Sequence, residues 1–387
     1  VSYLRPLLRP LLRPLDRALT QRRGGWSPLL LFAAGEQGVW YDPSDFSTMF
    51  QDAAGTTPVT ATGQPVGALI DKRLGTSDLG TTGFTQSGGD GVVTVNGNQI
   101  TITGATVTTR VDINVPGWAL GNLGLANVTA SVGSATNPLV YIGGSPLTAT
   151  TGTKSYSQIV AASTLFRLQI DAGSATFTIN SRSKVTGNHA TQSTAANRPT
   201  LQQDGSGYYY LSFNGTNSSL STASITYTGS QMTLWSALRK VSGAGFQVVL
   251  EMGAAPSGTF SFLAPTSIKD DYGFYLSEAI TSNNQATSGT FTPPVTNVLS
   301  WAMDLSAGTI AGQSAARINA ASAALINGVI ASGTPAFTSQ PLFIGARSGA
   351  SLFFNGRLYG IIRRDAISTA LQIEQGETWL NSRTGAY

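Results

Sequence analysis

Two β-branched runs, Val92–Val95 and Gln99–Thr103, are separated only by Asn96-Gly97-Asn98. Asn-Gly between such runs closes an antiparallel hairpin, because these residues accept the positive backbone angles that a tight turn between twisted strands demands. The same pattern recurs at Thr106–Val115, Leu125–Val132, Leu139–Ile142, Tyr156–Ala161, Leu165–Ile170 and Ala175–Ile179. It resumes at Tyr208–Phe213, Met232–Val241, Phe246–Met252, Thr259–Ala264, Tyr272–Leu276 and Val298–Asp304. Ala316–Asn319, expected to pair with Leu325–Ala331, precedes the last strands, Pro341–Gly345 and Ser351–Arg364. Short strands joined by polar turns predict a mainly β chain: an extended N-terminal arm, two antiparallel β-sandwich or jelly-roll domains and one short C-terminal helix. The helix is expected over Ser368–Ser382, with Ser368 as N-cap.

Composition narrows the chemistry. Only 11% of residues are charged, less than half the roughly 25% of ordinary domains, so long charged surface helices are excluded. Hydrophobic residues at 41% and aromatics at 9% exclude global disorder. With no Cys there is no disulfide, thiolate ligand or thiol nucleophile. The single histidine, His189, stands in a polar stretch without a nucleophile signature, so neither a triad nor a multi-histidine metal site is expected. No cofactor is implied. The longest apolar run, Leu29–Ala34, is far short of the ~20 residues that cross a bilayer, so no membrane span is expected. The start of the chain is a poor match to a signal peptide, since Pro interrupts any apolar core.

The net charge of +4 belongs to the first 25 residues, where six Arg face one acid, Asp16. Leu4-Arg5-Pro6-Leu7 repeats as Leu8-Arg9-Pro10-Leu11 and Leu12-Arg13-Pro14-Leu15, and Arg17 follows in a variant unit. The prolines remove backbone donors and oppose a regular helix through Pro14. Exposed Leu and Arg in alternation suit a docking peptide received by another protein, with Leu4, Arg5, Leu8, Arg9, Leu12, Arg13 and Arg17 as its contacts. A nucleic-acid arm, a membrane-surface segment or a plain disordered terminus are the alternatives. Phosphate contacts need charge but no Leu repeat, which favours protein.

The organisation expected is an arm over 1–25, an attachment or connector module over 26–85, a small sandwich over 86–182, a linker over 183–197 and a jelly roll over 198–387. The stretch Gly38–Asp45 (GVWYDPSD), with Phe50–Asp52, Thr57–Val59 and Gly63–Gly67, resembles an attachment segment of virion proteins from tailed bacteriophages. That resemblance implies a fibre, spike or decoration protein made in the bacterial host cytoplasm and carried in the virion. Its partners would be capsid, collar or tail proteins, with Trp40, Tyr41 and Asp42 joining the arm in docking. It also implies a homo-oligomer, commonly a trimer for such projections, and no nucleic-acid partner.

The end of the small sandwich resembles carbohydrate-binding modules, yet its aromatics, Trp118, Tyr141, Tyr156, Phe166 and Phe177, are expected mostly in the core. Asn197–Gln202 (NRPTLQ), Leu211–Gly215 (LSFNG), Leu342–Gly345 (LFIG) and Phe354–Gly360 (FNGRLYG), in that order, resemble the concanavalin-A-like (laminin-G-like) jelly roll. Domains of that fold often bind glycans, so host-surface glycans are the implied ligand; no binding residue is located. Glu251, Asp270 and Asp271 form the closest acidic cluster, without regular oxygen-ligand spacing, and are read as solvated turn carboxylates rather than metal ligands. No catalytic residue is assigned. The expectation is a non-catalytic virion protein; the alternative is a polysaccharide depolymerase, which needs a pair of carboxylates flanking a cleft.

Overall fold

The computed structural model describes residues 26–387 apart from 115–118, 228, 244, 254–257, 267–269 and 334. The arm contacts Leu4, Arg5, Leu8, Arg9, Leu12, Arg13 and Arg17, and Trp118, lie outside the described residues. The chain is mainly β, arranged as antiparallel sandwiches with a C-terminal helix, as the strand and turn pattern predicts.

The smaller body holds two sheets. One runs in the order Ser145–Thr148, Leu139–Ile142, Leu165–Ile170, Thr109–Asn114, Thr85–Gly88. The other runs Gly152–Ile159, Leu123–Ser131, Gly173–Val185, Gln99–Ala105, Val92–Asn96, with Thr76–Asp78 also paired to Gly173–Val185. The expected hairpin forms with Asn96 opposite Gln99 and Gly97 at φ 60°. Inward positions of both sheets, among them Ile100, Ile102, Val128, Tyr156, Phe166, Leu168 and Phe177, bury one core.

The larger body packs an eight-stranded sheet on a ten-stranded one, and pieces of the expected connector complete both. Gly38–Tyr41 pairs with the C-terminal half of Asn355–Arg364, from Gly38 opposite Arg364 to Tyr41 opposite Ile361. Met49–Phe50 pairs with Ala68–Leu69, which pairs with Ala190–Thr191, inside the expected linker, and that strand pairs with Leu220–Ile225. Residues 26–85 and 183–197 therefore supply strands to the jelly roll expected over 198–387. Because Ala68–Leu69 and Ala190–Thr191 are neighbours, the smaller body is an insertion between two adjacent strands of the larger one.

Two hydrophobic clusters lie against the eight-stranded sheet. Val39, Tyr41, Leu234, Trp301 and Ile361 point to the ten-stranded sheet, and Trp40, Trp235, Tyr359 and Ile362 point to the terminal helix. That helix, Ala370–Asn381, is capped by Thr369 rather than Ser368: the Thr369 side chain takes the Gln372 N–H while Gln372 reaches back, a capping box. Ser368 is buried one residue earlier, its N–H donating to Thr233 Oγ1 at 2.9 Å.

Ser314–Ile318 pairs with Val295–Asp304 and with Ala321–Ser322, not with 325–331. Asn319 and Ala320, at φ 50° and 63°, make a two-residue turn that closes Ile318 onto Ala321 before the chain can reach further. Leu325–Ile326 instead joins the far edge of the ten-stranded sheet beside Ser282–Thr287.

Candidate functional site

Strand alternation in the ten-stranded sheet sorts its side chains into two sets. Leu250, Met252, Phe260, Phe262, Phe274, Leu276, Leu342 and Ile344 face the core. Period two then places Glu251, Ser261, Tyr275 and Phe343 on the outer face. Registration aligns them: Phe343 opposes Glu251, Glu251 opposes Ser261 and Ser261 opposes Tyr275. Ser221 extends the row beyond Phe343, and Asn284 extends it beyond Tyr275. Six strands at ~4.8 Å spacing make a row about 24 Å long.

Two partly exposed aromatic rings on the outer face of an antiparallel sheet, with a carboxylate and a hydroxyl between them, form a platform that interleaves apolar faces with hydrogen-bonding groups. Arg347 stands over it, its Nε 3.3 Å from Glu251 Oε2, and its side chain is 42% exposed while that of Glu251 is 3% exposed. Burial pushes the Glu251 carboxyl up to about 7, and the Arg347 guanidinium opposes that only in part. Burial also raises the Tyr275 phenol, with the Asp271 charge adding to it and Arg347 opposing.

The loop that carries Arg347 is held in costly backbone geometry. Ser348 and Leu352 adopt φ 51° and 48°, a left-handed conformation that costs a side-chain-bearing residue about 1–3 kcal/mol. Gly345 and Gly349 are positive too, at 81° and 69°. At Gly345 a Cβ would lie 2.3 Å from the Phe213 ring, so only glycine fits. Arg347 N–H donates to the Ser351 carbonyl at 2.8 Å, which closes the loop beside Phe343.

Of the acids grouped in the sequence, Asp270 is partly exposed on a turn, but Glu251 and Asp271 are not solvated turn carboxylates. Glu251 is 2% exposed, and Asp271, 3% exposed, accepts from the Thr266 N–H at 2.8 Å and from the Thr266 hydroxyl. The Asp271 carbonyl takes Lys240 Nζ at 2.8 Å, which also lies 4.3 Å from the Tyr272 ring centroid. Burial lowers Lys240 to about 8. These contacts hold the rim of the sandwich together. Among the described residues no three His, Cys, Asp or Glu converge as metal ligands, and no helix is long and apolar enough to cross a membrane.

Trp40, Tyr41 and Asp42 are inside the body, not on a docking surface. Trp40 sits edge-on to Trp379 at 5.7 Å between centroids. The Tyr41 hydroxyl donates to the Asn188 carbonyl, and Asp42 accepts from the Ser44 N–H at 3.1 Å and from Lys72 Nζ at 3.2 Å. Trp40 and Tyr41 are buried because their strand has the core on one side and the terminal helix on the other, and Asp42, just past the strand, is buried with them. Two further clefts occur. One, of about 420 Å³, opens beside Ser314–Ile318 and includes Ser300, Arg317 and Leu325. The second lies between the two bodies.

No protein-family model matches the chain, and no curated protein matches it. Among solved structures it is similar to a receptor binding domain, with a TM-score of 0.35 and 10% identity over 50% of this chain and 48% of that one. It is also similar to the CBM40 domain of the Ruminococcus gnavus IT-sialidase bound to α2,3-sialyllactose, at a TM-score of 0.30 and 14% identity, over 40% of this chain and 94% of that one. A third is a structure on the interaction of botulinum neurotoxin type C with two ganglioside molecules, at a TM-score of 0.34 and 10% identity, over 49% and 48%. The match thus spans about half the length of the first and third.

Proposed function

We propose that this chain is a non-catalytic structural protein of a bacteriophage virion whose larger body binds host-surface glycans through the row Phe343–Glu251–Ser261–Tyr275 and the overhanging Arg347. The observation that carries the glycan reading is that row: pyranose rings present an apolar face to an aromatic ring and hydroxyls to guanidinium, hydroxyl and amide groups, here Arg347, Ser261 and Asn284, while the buried Glu251 holds Arg347 in place. The strained loop supports it, since backbone strain gathers where a side chain must be held for a ligand.

The non-catalytic reading is supported by the acids. Glycoside hydrolysis uses two carboxyl groups across a cleft. Glu251 is the one acid in the row, it is ion-paired with Arg347, and no Asp or Glu lines the cleft beside Ser314–Ile318 or the cleft between the two bodies. The virion reading rests on the resemblance of residues 38–67 to phage attachment segments and on the Leu-Arg-Pro repeat. With Trp40, Tyr41 and Asp42 committed to the fold, docking to capsid, collar or tail proteins falls to Leu4, Arg5, Leu8, Arg9, Leu12, Arg13 and Arg17. Self-association into an oligomer belongs to the same reading.

Mass spectrometry of purified particles, with antibody labelling to place the protein, tests the virion role. The protein in stoichiometric amount at one location on the particle supports it; its absence from particles sinks it. A glycan microarray probed with the whole protein, with and without Arg347→Ala, tests the ligand. Discrete glycan hits weakened by the substitution support the row, and a blank array contradicts it.

A further inference from the structure

The cleft between the two bodies is built from chemistry unlike that of the row. On one side stand Phe50 and Pro58 of the larger body. On the other lies the outer face of the six-stranded sheet, where Asn127 opposes both Ser155 and Ser181, and Leu125 opposes both Ser157 and Ser183. The space is about 370 Å³, within the ~300–1,000 Å³ of small-molecule sites. Five serines, one threonine, one tyrosine, one amide and an apolar wall line it, with no charged side chain among them.

The cleft is pre-formed because the joint beside it is tight. Phe50, Ala68 and Ile70 of one body pack with Leu123 and Val185 of the other in a single buried cluster. The Ile159 N–H donates across the joint to the Ala54 carbonyl at 2.6 Å. Gly55, at φ 71°, sits so close that a Cβ would lie 3.2 Å from both Ile159 and Leu123 side chains.

The uncharged character continues away from the cleft along the same face. Asn180 Nδ2 donates to Asn127 Oδ1 at 2.7 Å and to Thr129 Oγ1 at 2.9 Å. Thr129 and Thr153 hydroxyls lie 2.8 Å apart, and those of Thr101 and Thr176 lie 3.3 Å apart. The charged residues of these strands take the opposite parity: Lys154 lies opposite Val128, and Arg182 lies opposite Ala126 with its guanidinium over Phe84 and Phe166. One acid shares the row of the cleft: Asp78, one strand beyond Ser183, accepting from the Gly80 N–H at 3.0 Å. Its charge disfavours an anionic ligand.

We propose that this cleft is a second saccharide site, selective for an uncharged oligosaccharide chain that lays the apolar face of a ring against Pro58 and Leu125, over the buried Phe50, and exchanges hydrogen bonds with Asn127 and the flanking serines. A neutral pyranose satisfies hydroxyl and amide partners without importing a charge that the site cannot neutralise. A chain longer than one ring continues over the threonine-lined face. The site is independent of the Phe343–Tyr275 row, so one can fail while the other stands.

Calorimetric titration of the whole protein with neutral heptasaccharides of glucose, mannose and galactose, beside heptagalacturonate, tests this. At least one neutral chain binds at micromolar to millimolar concentration, and the galacturonate binds at least about tenfold more weakly. Ser155→Trp, at an exposed floor position, fills the cleft and weakens neutral binding by about tenfold or more. Ser181→Glu, also exposed, does the same by charge and guards against a packing artefact of the first variant. The neutral titrations are repeated in Arg347→Ala, and the heat that survives there and is lost on adding Ser155→Trp is the heat of the cleft. Failure of every neutral chain to bind, equal binding of the galacturonate, or loss of neutral binding in Arg347→Ala with retention in Ser155→Trp overturns the proposal.

Discussion

The Asp71 N–H donates to His189 Nδ1 at 3.2 Å, joining residues 118 apart where the chain leaves the larger body and returns to it. His189 Nε2 faces the Val185 carbonyl at 3.2 Å, so the ring is neutral with its proton on Nε2. The Asp71 carboxylate ties the same point together, accepting from the N–H groups of Trp40 and Arg73 at 3.0 Å and of Asn188 at 2.9 Å.

Burial holds the His189 ring below the usual imidazole range, against the pull of Asp71. The unfolded chain then binds the extra proton first, so stability present above the unfolded pKa of ~6.5 is lost as pH falls below it. His189→Gln, which keeps an acceptor and a donor, removes that slope. Urea unfolding of both proteins between neutral and mildly acidic pH checks this; parallel pH profiles contradict it.

Glu251 acts with the opposite sign. Its folded pKa of about 7 lies above the usual carboxylate range, so its contribution is full below ~4.5 and is lost as pH rises through about 7. Glu251→Gln is expected to match the parent in acid and to exceed it in melting temperature at pH above about 7. A variant less stable than the parent in alkali would mean that the Arg347 ion pair outweighs the cost of burying the charge.

The terminal helix rests on Trp235 through Gly376. A Cβ at Gly376 would meet the indole nitrogen at 2.6 Å, and that nitrogen donates to the Ile373 carbonyl at 3.2 Å. Gly376→Ala gains about 1 kcal/mol of helix propensity but overpacks a rigid ring at a cost of about 1–3 kcal/mol. A lower melting temperature is expected, and a higher one refutes the close approach.

Arg364 and Glu36 form a two-pronged pair at 2.6 and 2.7 Å, each side chain 9% exposed. Glu36→Ala leaves Nε and Nη2 of a buried guanidinium unpaired, with only Nη1 still held by Ser368 and Gln372, at a cost of about 3 kcal/mol. Chemical denaturation measures it, and a loss below about 1 kcal/mol would assign the pair to solvent.

What the sequence disclosed was local. The hairpin at Gly97 and the β-branched runs carry their own turn and strand signals, and the sandwich class follows from them. The insertion was hidden because its closing strands, Met49–Phe50, Ala68–Leu69 and Ala190–Thr191, have two residues each and show no periodicity. Gly38–Tyr41 is buried at every position, so it has no alternation to read. The row had a faint signal: Glu251 interrupts an otherwise apolar strand at one position. Registration across six strands, which alone aligns them with Phe343 and Arg347, is not written in any one segment.

Glycan recognition by the outer row depends on Tyr275 and Arg347. Isothermal titration of the strongest array ligand against the parent protein, Tyr275→Ala and Arg347→Ala measures it most directly. Each substitution is expected to weaken binding by about tenfold or more while the folded spectrum is retained. Affinity unchanged in both variants, with the ligand still bound, would contradict it.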